Sequence, residues 1–415
     1  MSSLNLYNPQ NAINHIQALA FKRYAGSDGE TKTINYISKE LEKDNLNFTI
    51  ESFEWTKTFS KLKNLFFFGI FIFLFLWELF LMVPALTWVN LLLEGLFTAI
   101  ILLSVKYVFD HSRILFLGKK NSSKNIVATI QAKDLYPKRP VIIFSAHHDS
   151  VSSLFPVKMG MILLFSGVFM LLSFFILNTI LAIWSILATF SIVSFDFTFY
   201  LIRNINFIIG IVILIDLFIN FFNIKQNKSV GSIDNASGVG ILIELAKLVK
   251  KNPLEKTDVI FLWAGAEEMG VWGSKQYCLN HFEELNHDYN LDKSYNINLD
   301  MIGTYIGLEE ETGIIKKKKF NENLNDVLKA SDTQHRIPLK KEKIPLGSGS
   351  DFVVFRGFVE KAEIKGFQIA SISSAKDAKY IHSKKDTPEL CSAETLNGCI
   401  DICYNAIKSL DLRVE

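Results

Sequence analysis

Apolar residues recur along this chain at several periodicities, and each predicts its own kind of element. From about Asn11 to Lys43 they fall at helical spacing in two pieces, broken by the loop-type cluster Ala25-Gly26-Ser27-Asp28-Gly29. In the second piece Ile34, Tyr36, Ile37 and Leu41 stand among Lys and Glu, the pattern of an amphipathic surface helix. Phe48, Ile50, Phe53 and Trp55 then alternate imperfectly with polar residues, which predicts a half-exposed strand. Asn125 to Gln131 and Val141 to Phe144 predict two further strands, the second buried, too short for a helix and bounded by Pro140. Val259 to Trp263 and Asn296 to Asp300 predict two more. Val239 to Lys251 and Ala393 to Leu410 carry helical patterns. Strands interleaved with helices give an α/β class.

Interrupting that pattern are stretches with no polar face. Leu62 to Val83 and Leu86 to Phe109 are each long enough to cross a bilayer, and Pro84 between them predicts a transmembrane hairpin. Glu78 and Glu94 interrupt these runs; they either lie near the hairpin tip, pair while protonated, or mark function in the membrane. Val157 to Ile224 is a second lipid-like region, nearly free of charge apart from Lys158, Asp196, Arg203 and Asp216, with room for two long spans or three shorter ones. The expected organisation is a soluble domain beginning at 1–60, a hairpin at 61–110, the domain continued at 111–155, a second insertion at 156–225 and the remainder at 226–415.

Composition agrees with a chain partly in lipid: 35 of the 415 residues are Phe and the mean hydropathy is positive. A formal net charge of only +2 argues against a nucleic-acid partner. The cysteines Cys278, Cys391, Cys399 and Cys403 contain no C-x-x-C and read as reduced, buried thiols. The first residues lack the charged, apolar, small sequence of a cleavable signal peptide.

Candidate chemistry sits where the strands stop. His147 and Asp149 end the Val141 strand, Glu267 and Glu268 follow the Val259 strand, and Asp300 ends the Asn296 strand; Asp234 precedes a helix, and His382 follows Tyr380-Ile381. In open α/β sheets ligands bind beyond the carboxyl ends of strands. Imidazoles and carboxylates gathered at one sheet edge repel and desolvate badly unless cations neutralise them. This mixed nitrogen and oxygen set suits zinc or a similar divalent ion, and its size suits two ions sharing a bridging carboxylate. Of two adjacent glutamates, one can bind metal while the other moves a proton.

The segments HHD at 147–149, DNASG at 234–238, EE at 267–268, NLDMIG at 298–303 and IHSKKDT at 381–387 resemble, in order and spacing, the zinc aminopeptidases of the M28 family. The upstream KRYAGSDGETKTINYISKEL at 22–41 is similar to that family's N-terminal helical region. The resemblance implies a phosphorylase/hydrolase-like three-layer α/β/α domain, here with four inserted transmembrane helices, and a peptide substrate cleaved at its N-terminus by metal-activated water. It further implies two Zn2+, one held by His147 and Asp300, the other by Glu268 and His382, with Asp234 bridging. Glu267 would be the general base, and Asp149 would hydrogen-bond the His147 imidazole and fix its tautomer. Asp386 matches an aspartate often found near the last ligand, and Asp351 a recurrent position without a derivable role. His148 reads as a bystander beside His147, His281 and His287 as solvated loop residues, and Lys316 to Lys319 as part of a solvated hairpin that could hold anionic headgroups.

If His147 and Asp234 share a metal, the chain between them crosses the bilayer an even number of times, which excludes three spans. Crossings near Val157 to Leu181 and Leu201 to Ile224 are expected, with 182–200 interfacial or re-entrant. Lys57, Lys61, Lys63, Lys106, Arg113, Lys119, Lys120, Lys158, Lys225 and Lys228 flank the apolar runs on the catalytic side, and the opposite loops carry little beyond Arg203. The positive-inside rule then predicts a multi-pass protein with a cytoplasmic catalytic domain. Two rivals remain: a glutaminyl cyclase-like acyltransferase with one zinc, and a non-hydrolytic membrane binding or transport protein resting on Glu78, Glu94 and Asp216.

Overall fold

The structure is a computed structural model that describes residues 8–108, 114–312, 318–319, 321–331, 338–343 and 349–414. It divides into two compact units. The first holds the residues through Lys57, the stretch ending at Ser152, and the chain from Lys225 on; the second holds the chain from Thr58 to about 110 and Ser153–Ile224.

In chain order the first unit contributes α1 (Asn11–Ala18), α2 (Asp28–Lys43) and β1 (Phe48–Thr56). The second unit supplies α3 (Thr58–Leu81) and α4 (Val89–Val108). Then follow β2 (Lys120–Ile130), β3 (Val141–His147), the short β4 (Ser152–Ser153), α5 (Val157–Thr189), α6 (Phe197–Phe221) and the short β5 (Lys225–Gln226). The first unit is completed by α7 (Ser237–Lys251), β6 (Asp258–Ala264), α8 (Trp272–Asp288), β7 (Tyr295–Leu299), β8 (Gly307–Thr312), β9 (Lys318–Lys319), α9 (Glu322–Ser331), β10 (Lys340–Lys343), α10 (Phe352–Lys361), β11 (Gln368–Ile372) and α11 (Ala393–Asp411).

The first unit is a mixed α/β structure built on one large sheet. Among the described residues its strand order is β1-β2-β6-β3-β7-β11-β8-β10, with β9 paired to β8. β3, β6, β7 and β11 run parallel at its centre, while β1 and β2 are antiparallel. β2 and β3 are consecutive in sequence, yet β6 lies between them. The central strands read as continuous apolar runs because both faces are covered. On one face Val141, Ile143, Ile260 and Leu262 pack with Tyr277, Cys278 and Leu285 of α8 and Phe352, Phe355 and Phe358 of α10. On the other, the Phe144 and Phe261 rings stack at 5.5 Å, and Trp263 Nε1 donates to the Val239 carbonyl of α7 at 3.4 Å. Truncating a ring such as Phe144 to Ala would cost about 3–5 kcal/mol.

Local signals set the helix ends. Ser27 Oγ accepts from Glu30 N at 3.5 Å, and the Glu30 carboxylate reaches back to Gly26 N at 2.6 Å, a variant of the capping box. Ser392 Oγ caps α11 by accepting from Thr395 N at 3.1 Å. All four cysteines are free and buried.

In the second unit, three helices are long and apolar enough to cross a membrane: Asn64–Leu81 within α3, all of α5 and all of α6. The expected fourth, α4, has a shorter described apolar stretch, Val89–Ile100. α5 continues to Thr189, well past the expected end near Leu181, because nothing in Ala182-Ile183-Trp184-Ser185-Ile186-Leu187-Ala188 stops a helix. The segment expected to lie along an interface is thereby reduced to a link before α6, which Asp196 caps by accepting from Phe199 N at 3.0 Å. Trp77, Phe97 and Phe174 form the core of this unit. Leu65, Phe68, Phe169, Leu172, Ile208 and Phe218 are among many large apolar side chains left exposed on it. The lysine cluster expected as a hairpin falls largely outside the described residues; Lys318 and Lys319 form β9.

Candidate metal centre

Parallel strands deliver their carboxyl ends to one edge of the sheet, and the predicted polar residues collect there. His147 is the last residue of β3, Glu267 and Glu268 follow β6, and Asp300 follows β7. Asp234 lies in the irregular turn that opens α7, and His382 follows the 3-10 turn Ala375–Lys379 after β11. The turn at Asp234 depends on two glycines. Gly231 takes a left-handed φ of +60°, and a Cβ at Gly238 would stand 2.6 Å from the Leu299 carbonyl, so α7 can start hard against the end of β7.

His147 Nε2 lies 3.1 Å from Asp234 Oδ1, 3.4 Å from Asp300 Oδ1 and 3.9 Å from Glu267 Oε2. His382 Nε2 lies 3.2 Å from the other Asp234 oxygen and 3.0 Å from Glu268 Oε1. Two groups of donors result, His147–Asp234–Asp300 and Asp234–Glu268–His382, each with its ligand atoms within 4.8 Å of one another. Asp234 belongs to both and offers a different oxygen to each histidine. Asp300 Oδ1 and Glu268 Oε1 are buried without a hydrogen bond. Buried oxygens of this kind, aimed at imidazole nitrogens, fit divalent cations of the zinc type.

The electrostatics say the same. Burial opposes a charge on His147, but the carboxylates of Glu267, Asp300, Asp149 and Asp234 outweigh it and hold the imidazole well above its usual range. His382 is likewise pushed up to about 10, Glu268 and Asp234 overcoming burial. Burial would raise Asp234, yet its two imidazole partners hold it far below the usual carboxylate range. The carboxylates around the two imidazoles favour positive charge at this place. Glu267 behaves differently: burial raises it well above the carboxylate range, reinforced by the charges of Glu268, Asp351 and Asp300 and opposed by His147. A buried acid with a raised pKa beside the ligand groups is suited to carrying a proton.

Supporting groups set the orientation of these side chains. The Asp386 carboxylate accepts from Ile233 N at 2.6 Å and Asp234 N at 3.2 Å. His147 Nδ1 faces the Asp149 backbone carbonyl at 3.2 Å and its Oδ1 at 3.5 Å. The Asp149 carboxylate also accepts the amides of Glu267 and Glu268. His148 is buried and bonded to the Lys124 carbonyl at 2.8 Å; His281 and His287, expected in a loop, both lie in α8, where His281 pairs with Glu51 at 2.9 Å. Asp351 is fully buried, and burial pushes it up to about 7.

Two residues close to the centre carry no signal in the sequence. Arg23 is fully buried and donates to the carbonyls of Leu19, Phe21, His148, Val230 and Gly231, tying the N-terminal segment to the loops that carry His147 and Asp234. No spacing marks it, because its partners are backbone groups. Lys225 donates to the Glu268 carbonyl and approaches Glu268 Oε2 at 3.4 Å. Its place as the first charge after the last apolar run reads as a flanking lysine, which conceals this contact.

A model of Peptidase family M28 matches residues 220–407. Aminopeptidase YwaD of Bacillus subtilis (strain 168) is 29% identical over 187 residues, which are 43% of this chain and 38% of that protein, so the match spans well under half of the relative. Two solved structures are similar in fold. BSAP, a zinc aminopeptidase from Bacillus subtilis, gives a TM-score of 0.52 at 14% identity, covering 97% of this chain and 95% of its own. An Acidobacteriales bacterium glutaminyl cyclase gives 0.53 at 14%, covering 98% and 96%. At such identities the likeness extends to the mixed α/β fold. Over residues 220–407 the chain is therefore similar to peptidase family M28, and an aminopeptidase is among its relatives there.

Proposed function

We propose that the protein is a membrane-embedded, two-zinc aminopeptidase whose helical unit is inserted into a phosphorylase/hydrolase-like α/β/α domain. The observation that carries this reading is the sharing of Asp234 between two donor groups, one oxygen 3.1 Å from His147 and the other 3.2 Å from His382. His147, Asp234 and Asp300 would hold one zinc, and Asp234, Glu268 and His382 the second. Zinc bound there would lower the pKa of water towards neutrality and polarise the scissile carbonyl. Glu267 takes the proton of the attacking water and delivers it to the leaving amine. Asp149 and Asp386 hold the backbone that presents these ligands.

Membrane embedding is supported by three helices of sufficient length and apolarity and by their exposed apolar side chains. Ser152 Oγ donates to the Gln226 carbonyl at 3.0 Å and accepts from Lys228 N at 3.0 Å, so the chain returns from the helical insertion beside the point where it left. That suits an even number of crossings, and the flanking lysines favour a cytoplasmic catalytic domain.

The test uses purified full-length protein, zinc, and a panel of aminoacyl aminomethylcoumarins and short peptides, with and without a chelator. Chelator-sensitive release of N-terminal amino acids is expected; no release across the panel would overturn the reading. The cyclase fold likeness supports a second reading, a one-zinc acyltransferase. Elemental analysis separates the two, since the peptidase reading requires two zinc ions per chain.

A further inference from the structure

Two acidic side chains enter the interior of the helical unit, and their surroundings treat them differently. Glu94 of α4 is satisfied: Asn178 Nδ2 donates to Oε1 and Thr179 Oγ1 to Oε2, each at 3.0 Å. The network continues through Asn90 Nδ2, which donates to Asn178 Oδ1 at 2.9 Å, and Trp77 Nε1, which donates to the Asn90 carbonyl at 3.3 Å. Neutral donors bridging three apolar helices serve as adhesion between them, and both oxygens of Glu94 are matched, although Asn90 Oδ1 has no partner among the described residues.

Glu78 of α3 has no such arrangement. It is 6% exposed, and among the described residues neither carboxylate oxygen has a hydrogen-bond partner. The carboxylate lies against α6 at Gly210, where any side chain would collide with Oε1. Gly210 shares the buried stripe of α6 with Asn206 and Ile213, at i, i+4 and i+7. Asn206 is fully buried, and both atoms of its amide are also without partners among the described residues. The remaining wall is apolar, with Phe174 against Gly210 and Leu74 and Trp77 in the same core.

Three other charged groups on α4 and α6 are engaged elsewhere. Glu94 belongs to the network above. Asp216 of α6 accepts from Asn220 at 3.3 Å and faces Gly167 of α5. Arg203 lies 4.9 Å over the Tyr200 ring and bonds Asn204. Among the described residues no ammonium or guanidinium pairs with Glu78.

A carboxylate with two unmatched oxygens in an apolar interior is strongly unfavourable, and an unmatched buried amide on the same inward stripe adds to the cost. Positive charge relieves the carboxylate and the amide oxygen. We propose that Glu78 and Asn206 form a small-cation site inside the helical unit, taking a proton or an alkali-metal ion such as Na+. Gly210 provides the room, Glu78 neutralises the charge, and the Asn206 amide either supplies an oxygen to the metal ion or hydrogen-bonds the protonated acid. The site is independent of the zinc centre and does not require the peptidase reading.

The test is labelling of the full-length protein in lipid nanodiscs with dicyclohexylcarbodiimide, which attacks protonated carboxyl groups in apolar surroundings, followed by peptide mass mapping. An adduct at Glu78 is expected, absent in Glu78→Gln. Its rate should fall about tenfold per pH unit above the midpoint if the ligand is a proton. If the ligand is Na+, adding NaCl in place of choline chloride should slow labelling at fixed pH, and Asn206→Ala should weaken that protection. Either dependence supports the site and identifies its ion. Lack of a Glu78 adduct, or a rate unchanged by both pH and Na+, overturns it. Because the decisive measurements use the wild-type chain, misfolding of a variant does not leave the question open.

Discussion

The Asp149 carboxylate accepts hydrogen bonds from the backbone N–H groups of both Glu267, at 3.0 Å, and Glu268, at 3.3 Å. One side chain from the end of β3 thus sets the turn after β6 that presents a candidate base and a candidate ligand. The family resemblance implies a further partner for Asp149, the imidazole of His147, and Asp149 Oδ1 lies 3.5 Å from His147 Nδ1. The backbone of Asp149 takes part as well. Its backbone carbonyl faces Nδ1 of His147 at 3.2 Å, while its carboxylate anchors the two glutamates. A carboxylate offers four acceptor directions and suits two converging amide donors, whereas an amide in its place offers fewer.

Replacing that carboxylate should therefore disturb turnover more than metal content. Asp149→Asn is expected to lower kcat/KM by about 10–100-fold while elemental analysis still finds zinc. Unchanged kinetics would remove Asp149 from the support of the site.

Glu267→Gln keeps the shape and removes the proton carrier. Turnover should fall by about 10²- to 10⁴-fold with zinc stoichiometry intact. A variant turning over at the wild-type rate would rule out Glu267 as the base.

Metal counting separates the ligands. Glu268→Gln is expected to lose one of two zinc ions, and Asp234→Asn, which weakens both donor groups, to lose most of both. One zinc in the wild type, unaffected by Glu268→Gln, would favour the cyclase-like chemistry.

Far from the centre, Glu244 gives a pH signature. Burial opposes its charge, but His15 Nε2 at 2.9 Å, Asn11 Nδ2 at 3.0 Å and Lys247 Nζ at 3.2 Å hold it down to about 2. A depressed carboxyl pKa adds stability that is complete above the unfolded value of 4.5 and is lost as pH falls towards 2. Glu244→Gln should cost about 3 kcal/mol at neutral pH, with the gap in Tm closing below pH 4.5. A gap that stays constant through that range would contradict the sign.

Arg23→Lys is expected to lower stability by about 3 kcal/mol, because an ammonium cannot reach the buried carbonyls that the guanidinium fork satisfies together. Differential scanning fluorimetry of the chelated and zinc-loaded protein should show the loss in both. A loss confined to the zinc-loaded form would assign Arg23 to metal affinity instead.

Much of this protein is legible in one dimension. The periodicities of Ile34 to Leu41 and Val239 to Lys251 are local, and α2 and α7 follow them. The apolar runs are legible for the same reason, since length and composition alone decide whether a helix can span a bilayer. Strand-end residues could be named because parallel strands carry their carboxyl ends to one edge, whatever their order.

Other features depend on neighbours far away in the chain. That β6 inserts between β2 and β3 rests on long-range pairing, Val127 with Leu262 and Phe144 with Phe261. The roles of Arg23 and Lys225 rest on backbone carbonyls that no pattern records. Glu78 and Glu94 look alike in sequence, and only packing gives one of them two donors and the other none. By itself the sequence determined which segments are helical, extended or lipid-like and which polar groups stand at strand ends, because those properties reside in consecutive residues. The tertiary structure alone decided which polar atoms meet, because hydrogen bonds and charges act over a few ångströms of space and take no account of separation along the chain.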